Sequence, residues 1–509
     1  MAPSDSNSES DGHLEALSPV SFHSLSYGTE DLEPTPADSK HRTWTWQVFA
    51  RAWTSMIMNP ASLSSGAALL SLGLDVQTAV AAKALASLLL ILALALNGWA
   101  GTKYGIPFPV LARSAFGRRG AHFCTLTRGA VAIFWLSFQM WQGSLGIFVA
   151  LQRCISFELG AEIGTKAAIY AAFLLLHGVL VSLGPAHLKG LVKYTMPALF
   201  LGLLGILFWA QRLMPLAKAL KAVEGDSSER LTAFFTGVNT SIATWSTLVL
   251  NVCDLSRFSP RQKDQVLGQA IGLPLPFVFT GFVGIWVAGA TQATFGVAAW
   301  QVPQYFAYWP PAVSLLASAV LAVSILVVNV LANILSPIND LMNLAPRRFT
   351  FRCCGYVTLL LATAVCPWWT FSDESTFLLT FLSGYAMVTG AIAGVLVTDF
   401  WILHRQELDM KNLYNATKKD VKWRAMLAVA LGVAPLMPGF LHELAGSGGG
   451  RLAGPAWERI YKGGSFLIAF GISGTVHVVL RWTELCASSS NQESNVQEAE
   501  SDSNSTVSA

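Results

Sequence analysis

From Gln265 to Asn339 the chain runs through 75 consecutive residues without one Asp, Glu, Lys, Arg or His. A water-exposed fold does not leave so long a stretch uncharged, whereas a lipid bilayer demands it, because charged side chains are costly at membrane depth. The rest of the chain agrees. Only 12% of its 509 residues are charged and 53% are hydrophobic, against about 25% charged in an ordinary soluble domain. A soluble enzyme is therefore excluded, and collagen, coiled coil and wholesale disorder go with it. The net charge is +3 and the basic residues are scattered, so no nucleic-acid partner is expected. Seven cysteines include no CxxC pair and no Cys/His metal spacing. They read as small buried hydrophobes, and neither a metal nor a cofactor is expected.

The ends are polar and acidic. Residues 1–45 and 484–509 read as disordered tails. Between them lie twelve apolar segments, each near the roughly 20 residues a spanning helix needs: 48–72, 77–100, 121–150, 167–184, 191–211, 232–252, 266–290, 311–337, 350–368, 376–403, 423–443 and 463–482. Of the 33 Lys and Arg, 22 fall on the side of the N-terminus and nine on the other. Lys83 and Arg128 fall inside spans. That bias predicts an all-α polytopic membrane protein of twelve helices with both termini cytoplasmic. Lys83, near an outer end, is expected to snorkel.

Polar groups inside spans are candidates for function. Pro60 disfavours helical geometry at Asn59 and predicts a break in the first span, which frees backbone carbonyls at membrane depth; a plain proline kink is the alternative. In the third span Trp135 and Gln139 are one turn apart on one face. An indole plane beside an amide suits a flat heterocycle with ring N–H and C=O groups, although an aromatic packing stripe would look the same. In the sixth, hydroxyl residues crowd Trp245, and Asp254 and Arg257 near its end are placed to pair. In the eighth, Asn329 and Asn333 put two carboxamides on one face of the most apolar stretch. Paired ionisable groups at mid-depth, which a membrane-embedded enzyme would need, are not visible.

Longer motifs carry a resemblance. Residues 97–117, Asn-Gly-Trp-Ala-Gly-Thr-Lys-Tyr-Gly-Ile-Pro-Phe-Pro-Val-Leu-Ala-Arg-Ser-Ala-Phe-Gly, resemble the signature loop of the class-one nucleobase–cation symporters. That family includes the bacterial hydantoin transporter and the fungal and plant uracil, allantoin, uridine and cytosine permeases. Glu30–Pro36 with Arg42-Thr43-Trp44, Asn251–Phe258, Phe381–Tyr385 and Val397–Trp401 are similar too, in order, from about residue 30 to 480.

The resemblance implies a LeuT-like five-plus-five inverted repeat. Residues 46–215 would be the first repeat and 230–405 the second, followed by two extra helices within 423–483. The first and sixth helices would be discontinuous, with substrate at the midplane. Trp135 and Gln139 match the family's stacking Trp and amide ligand, Trp245 the second aromatic, and Asn333 the Asn that binds an amide or ureide edge. Leu382 would belong to a gate. Asn59, Asn329, Asp340 and Asp399 are gate or coupling candidates.

Two departures bear on coupling. Val327 and Val328 stand where the sodium-coupled bacterial member has two hydroxyl ligands, and valine methyls offer a hard cation nothing; no sodium requirement is expected. Met56 stands where many fungal relatives have an acid, which leaves Asp340 and Asp399 as proton carriers, or uniport. The expected partners are a small heterocyclic substrate, protons and the bilayer, and the expected place is the plasma membrane. A vitamin or nucleoside substrate, or a receptor that does not transport, are the alternatives.

Overall fold

The computed structural model describes residues 32–38, 40–155, 161–183, 188–219, 229–345, 348–370, 374–415, 420–445 and 455–507, with backbone alone at 161, 188–195, 369, 374–380, 445, 455 and 483–507. Among these residues the only regular structure is helical. The elements that build the core are α1 Trp46–Ile57, α2 Pro60–Ser71, α3 Val76–Tyr104, α4 Phe108–Gln152, α5 Ala161–Leu183, α6 Leu188–Leu213, α7 Arg230–Asn251, α8 Gln262–Gly272, α9 Pro274–Phe295, α10 Pro311–Val328, α11 Leu335–Leu344, α12 Phe351–Ala364, α13 Glu374–Thr398, α14 Trp423–Val433, α15 Met437–Ala445 and α16 Pro455–Val507. A π-helical turn, Asn329–Ile334, joins α10 to α11, and a second, Asp399–Leu403, follows α13.

Among the described residues, nine helical stretches are long and apolar enough to cross a membrane. Three of the expected spans fall outside that set for separate reasons. The first is two helices of 12 residues each, divided at Met58–Asn59. α7 has the length, 22 residues, but is rich in Thr, Ser and Asn. α12 has only 14 residues.

Three expectations need correction. α7, expected to be discontinuous, is an unbroken helix from Arg230 to Asn251; it contains no proline, and nothing else forces its hydrogen-bond ladder open. The tail expected to be disordered over 484–509 is entered by α16, whose backbone stays helical to Val507. A helix needs only local hydrogen bonds, so a polar sequence can prolong an apolar one. The N-terminal tail, expected to be disordered over 1–45, lies outside the described residues up to residue 31, but from Leu32 it is packed on the core. Leu32, Thr35, Arg42 and Trp44 are buried, Thr35 N donates to Gly105 O at 2.9 Å and Trp44 N to Phe258 O at 2.9 Å.

The core is built on pairs. α2 packs on α9, α3 on α7, α1 on α8, and α13 on α16. α4 is bent at Gly117, where φ is +75°, a region that side chains with a Cβ avoid. The bend turns the Phe108–Phe116 stretch away from the span and lets Asp420 cap the new start: Arg119 N donates to Asp420 O at 3.0 Å and Lys422 N to Phe116 O at 2.9 Å. Cys124, Cys253 and Cys354 are buried as expected, whereas Cys154 and Cys353 are exposed.

Candidate functional site

The site starts at the break between α1 and α2. Asn59 is extended (φ −131°, ψ 166°) and Pro60 occupies the first position of α2, where a missing N–H costs nothing. The Asn59 side chain serves both helix ends. Its Oδ1 accepts from Ser62 N at 2.9 Å, and its Nδ2 donates to Met56 O. The break is thus a built feature with satisfied ends, as buried helix termini require.

Trp135, Gln139, Trp245, Asn333 and Asn59 come together around one small cavity, with Thr244, Thr247, Val328 and Ala332 completing its wall. Trp245 meets Trp53 edge-on, ring centroids 6.1 Å apart, and Trp135 meets Phe138 edge-on at 5.7 Å. Two polar atoms on this wall are buried without a protein partner: Gln139 Oε1 and Trp245 Nε1. Buried polar atoms are normally paired, so these two are placed for something that enters the cavity. The cavity itself measures about 20 Å³, room for about one water. The walls must part to admit a ring.

The two asparagines lie on the π-helical turn. Asn333 Nδ2 donates to Asn329 Oδ1 at 3.0 Å. Asn329 Nδ2 lies 3.1 Å from His177 Nε2, and His177 Nδ1 lies 2.8 Å from Phe173 O. The amide donates to Nε2 and so fixes the imidazole with its proton on Nδ1, aimed at the carbonyl. This chain orients Asn333 with its carbonyl oxygen uncommitted beside the cavity. Single π-turns inside α-helices recur at functional sites because they re-aim side chains. A strictly α-helical reading of the sequence puts both amides on one face but does not reveal the turn.

Other expected residues lie away from the cavity. Leu382 is buried in the apolar core and is not on the cavity wall. Asp399 is buried, accepts from Ser114 Oγ at 2.9 Å, and sits 3.1 Å from His477 Nε2. Asp340 is buried against Gly129, 3.5 Å from where a Cβ on that glycine would sit. Asp254 accepts from Phe108 N at 3.0 Å, while Arg257, expected to pair with it, donates to Thr35 Oγ1 at 2.8 Å and Glu33 O at 3.1 Å. Lys83, expected to snorkel, is fully buried.

Two further residues adjoin the site. Tyr385 accepts from Trp135 Nε1 at 3.2 Å and donates to Ala243 O at 2.6 Å, fixing the indole and tying α13 to α7. Arg128 is fully buried beneath the cavity. Its Nε donates to Asn251 Oδ1 at 2.9 Å and its Nη2 to Ala332 O at 2.6 Å, the carbonyl next to Asn333. A charged residue inside a span was the signal for Arg128; for Tyr385 it was the Phe381–Tyr385 motif.

The donor set near the break bears on cations. Met58 O, the carbonyl freed by the break, accepts from Ser324 Oγ at 3.1 Å; Val327 and Val328 are buried, Val328 on the cavity wall with Asn59. Among the described residues no group of His, Cys, Asp and Glu side chains is arranged to hold a metal. A larger crevice of about 700 Å³ runs outside α6 and α10 to Met58 and Pro60. Its wall is almost wholly apolar and includes the exposed Leu201, Phe208 and Leu316, a surface suited to acyl chains and lacking the convergent polar groups of a solute site.

Residues 36–452 match the family described as permease for cytosine/purines, uracil, thiamine, allantoin. An allantoin permease of Bacillus subtilis (strain 168) is 33% identical over 423 residues, covering 79% of this chain and 85% of its own. A purine-uracil permease of Arabidopsis thaliana is 31% identical over 437 residues, covering 82% and 72%. Among solved structures, a nucleobase-cation-symport-1 family transporter in a closed conformation with bromovinylhydantoin bound superposes with a TM-score of 0.72. It is 18% identical and covers 89% of this chain and 95% of that one.

Proposed function

Because the chain belongs to the family of permeases for cytosine/purines, uracil, thiamine and allantoin, and is thus an integral membrane transporter and not an enzyme, we propose that it imports a nucleobase or ureide by alternating access across the plasma membrane, with protons and without sodium. The observation that carries the substrate class is the set of uncommitted groups on one small cavity wall: the Gln139 amide oxygen, the Trp245 N–H and the Asn333 carbonyl, beside two indoles. A flat ring with neighbouring N–H and C=O groups satisfies all three while stacking on an indole face. The allantoin and uracil relatives support the same class.

The transport unit we propose has twelve membrane helices in a five-plus-five inverted repeat plus two, with both tails cytoplasmic. The broken pair α1/α2, together with α7 and α12, would bring the nine long apolar stretches to twelve. In this reading Trp135 and Trp245 stack the ring, Gln139 and Asn333 read its edge, and Asn329 positions Asn333. Asn59 couples the cavity to the helix break, Leu382 backs a gate at Tyr385, and Asp340 and Asp399 are acids available to the transport cycle.

Uptake of radiolabelled uracil, allantoin, cytosine, uridine and thiamine into cells lacking their own permeases tests the reading. Saturable uptake of one nucleobase or ureide, faster at acid pH and depressed by a protonophore, is expected. Uptake of none, with the protein at the cell surface, would overturn it. Replacing sodium by choline is expected to leave the rate unchanged, because the carbonyl at the break already accepts from Ser324 and Val327 and Val328 offer a cation no oxygen. A tenfold loss would mean that a cation site exists elsewhere.

A further inference from the structure

Lys83, on α3, faces α2 and α9 and has no exposed surface. Its Nζ donates to Ser65 Oγ at 2.9 Å and sits 3.9 Å over the centre of the Phe277 ring. An ammonium has three N–H donors, and among the described residues these two contacts are all it makes. No acid is at hand. Pro60–Ser71 and Pro274–Phe295 contain no titratable side chain, and Arg230–Asn251, which packs on α3 from the other side, has only Arg230. On α3 itself the nearest charge is Asp75, the N-cap, which accepts from Thr78 and pairs with Arg230. Lys103 at the far end pairs with Glu407.

The slot is shaped for this side chain. A Cβ on Gly281 would collide with Lys83 Cδ and Cε, and one on Gly66 would collide with Gly281 backbone. The amine also connects to the substrate cavity by two hydrogen bonds that meet at the backbone of Ser62. Ser65 Oγ donates to Ser62 O at 3.0 Å, Ser62 N donates to Asn59 Oδ1 at 2.9 Å, and Asn59 is on the cavity wall. On the other side Leu69, Leu74, Val76, Ala79 and Ile285 pack as an apolar cluster across the N-terminal end of α3.

We propose that Lys83 is the proton-binding site of the transport cycle, connected to the substrate cavity through Ser65, Ser62 and Asn59. This rests on the proton-coupled reading above and adds the site. As an ammonium, Lys83 obliges Ser65 Oγ to accept, and the Ser65 proton points to Ser62 O. As a neutral amine it has a lone pair, so the Ser65 hydroxyl can turn and donate to it, releasing Ser62 O at the first turn of α2. One proton is bound and one N–H bond formed; nothing else changes covalently. The apolar cluster closes the way along α3, so the amine exchanges its proton on the cavity side, taking it up when the cavity faces outward and releasing it when the cavity faces inward. The bonds through Ser62 and Asn59 transmit the reorientation of Ser65 and not the proton.

The test uses the full-length protein in liposomes, with a pH-sensitive dye inside and whichever labelled compound of the five above the wild type transports. With one proton per substrate, an imposed gradient of one pH unit sustains about tenfold accumulation. Lys83→Met is expected to keep exchange of labelled for unlabelled compound across the membrane but to accumulate nothing, with a ratio near one and no dye signal. Accumulation and proton entry equal to wild type would overturn the proposal. Should Lys83→Met fail to fold, Ser65→Ala, which leaves the amine and removes its acceptor, is expected to shift the midpoint of the pH–rate profile. An unmoved midpoint would overturn the proposal as well. A wild type that transports without moving protons would remove the proton-coupled reading itself, and the proposal with it.

Discussion

Replacing Asn333 or Trp135 by Ala is expected to lower uptake efficiency about 5- to 150-fold while leaving the protein in the membrane. Asn333 is held by a relay, His177 to Asn329 to Asn333, that leaves its carbonyl oxygen at the cavity. Removing it would strip a buried ring N–H of its acceptor, a cost of about 1–3 kcal/mol. Trp135 would lose a stacking face of about 1–3 kcal/mol, and Tyr385 would lose a partner that helps to aim it. Neither change opens a charged or helix-breaking defect, so surface expression is expected to hold. Kinetics unchanged from wild type in either variant would remove that residue from the site.

How much of this was legible beforehand follows from what each feature depends on. Trp135 and Gln139 share a face through the helical repeat alone, and the break at Asn59 follows from Pro60 alone; both are local and both could be read from sequence. The π-helical turn at Asn329–Ile334 is not local in that sense, because the α-helix and the π-turn differ by one residue of register, which tertiary packing decides. Tyr385 belongs to the site through a partner 250 positions away. Lys83 was misread because snorkelling assumes lipid around the stem, and here the stem lies against Gly281 of another helix, where no side chain stands in its way. The continuity of α7 went unforeseen because the expectation of a break came from the family resemblance, whereas the segment itself holds no proline.

The second large effect is expected at Arg128. Its guanidinium joins α4 to Asn251 on α7 and to Ala332 O in the π-turn. That turn carries Asn333, so Arg128 braces the substrate wall from beneath. Asp340 and Asp254 are both buried in its neighbourhood. Arg128→Met would leave an amide and a carbonyl short of a donor and would strand the buried Asp340 without a cation, whereas Asp254 keeps Arg257 nearby. Breaking a buried charged arrangement from one side costs about 3–5 kcal/mol. Loss of most surface protein is expected, measured by surface biotinylation. Arg128→Met combined with Asp340→Asn removes the stranded acid and is expected to recover much of the surface protein but not the uptake, because Ala332 O stays unbraced. Full uptake by Arg128→Met would contradict this role.

The account centres on an edge of N–H and C=O groups being read by Gln139 and Asn333 while indoles hold the ring plane. The most direct test is calorimetric titration of the purified protein with the transported compound and with its analogue methylated on the ring nitrogens. The account predicts that methylation weakens binding at least 100-fold, because it removes the donors that these amides accept. Equal affinity for the methylated ring would contradict it.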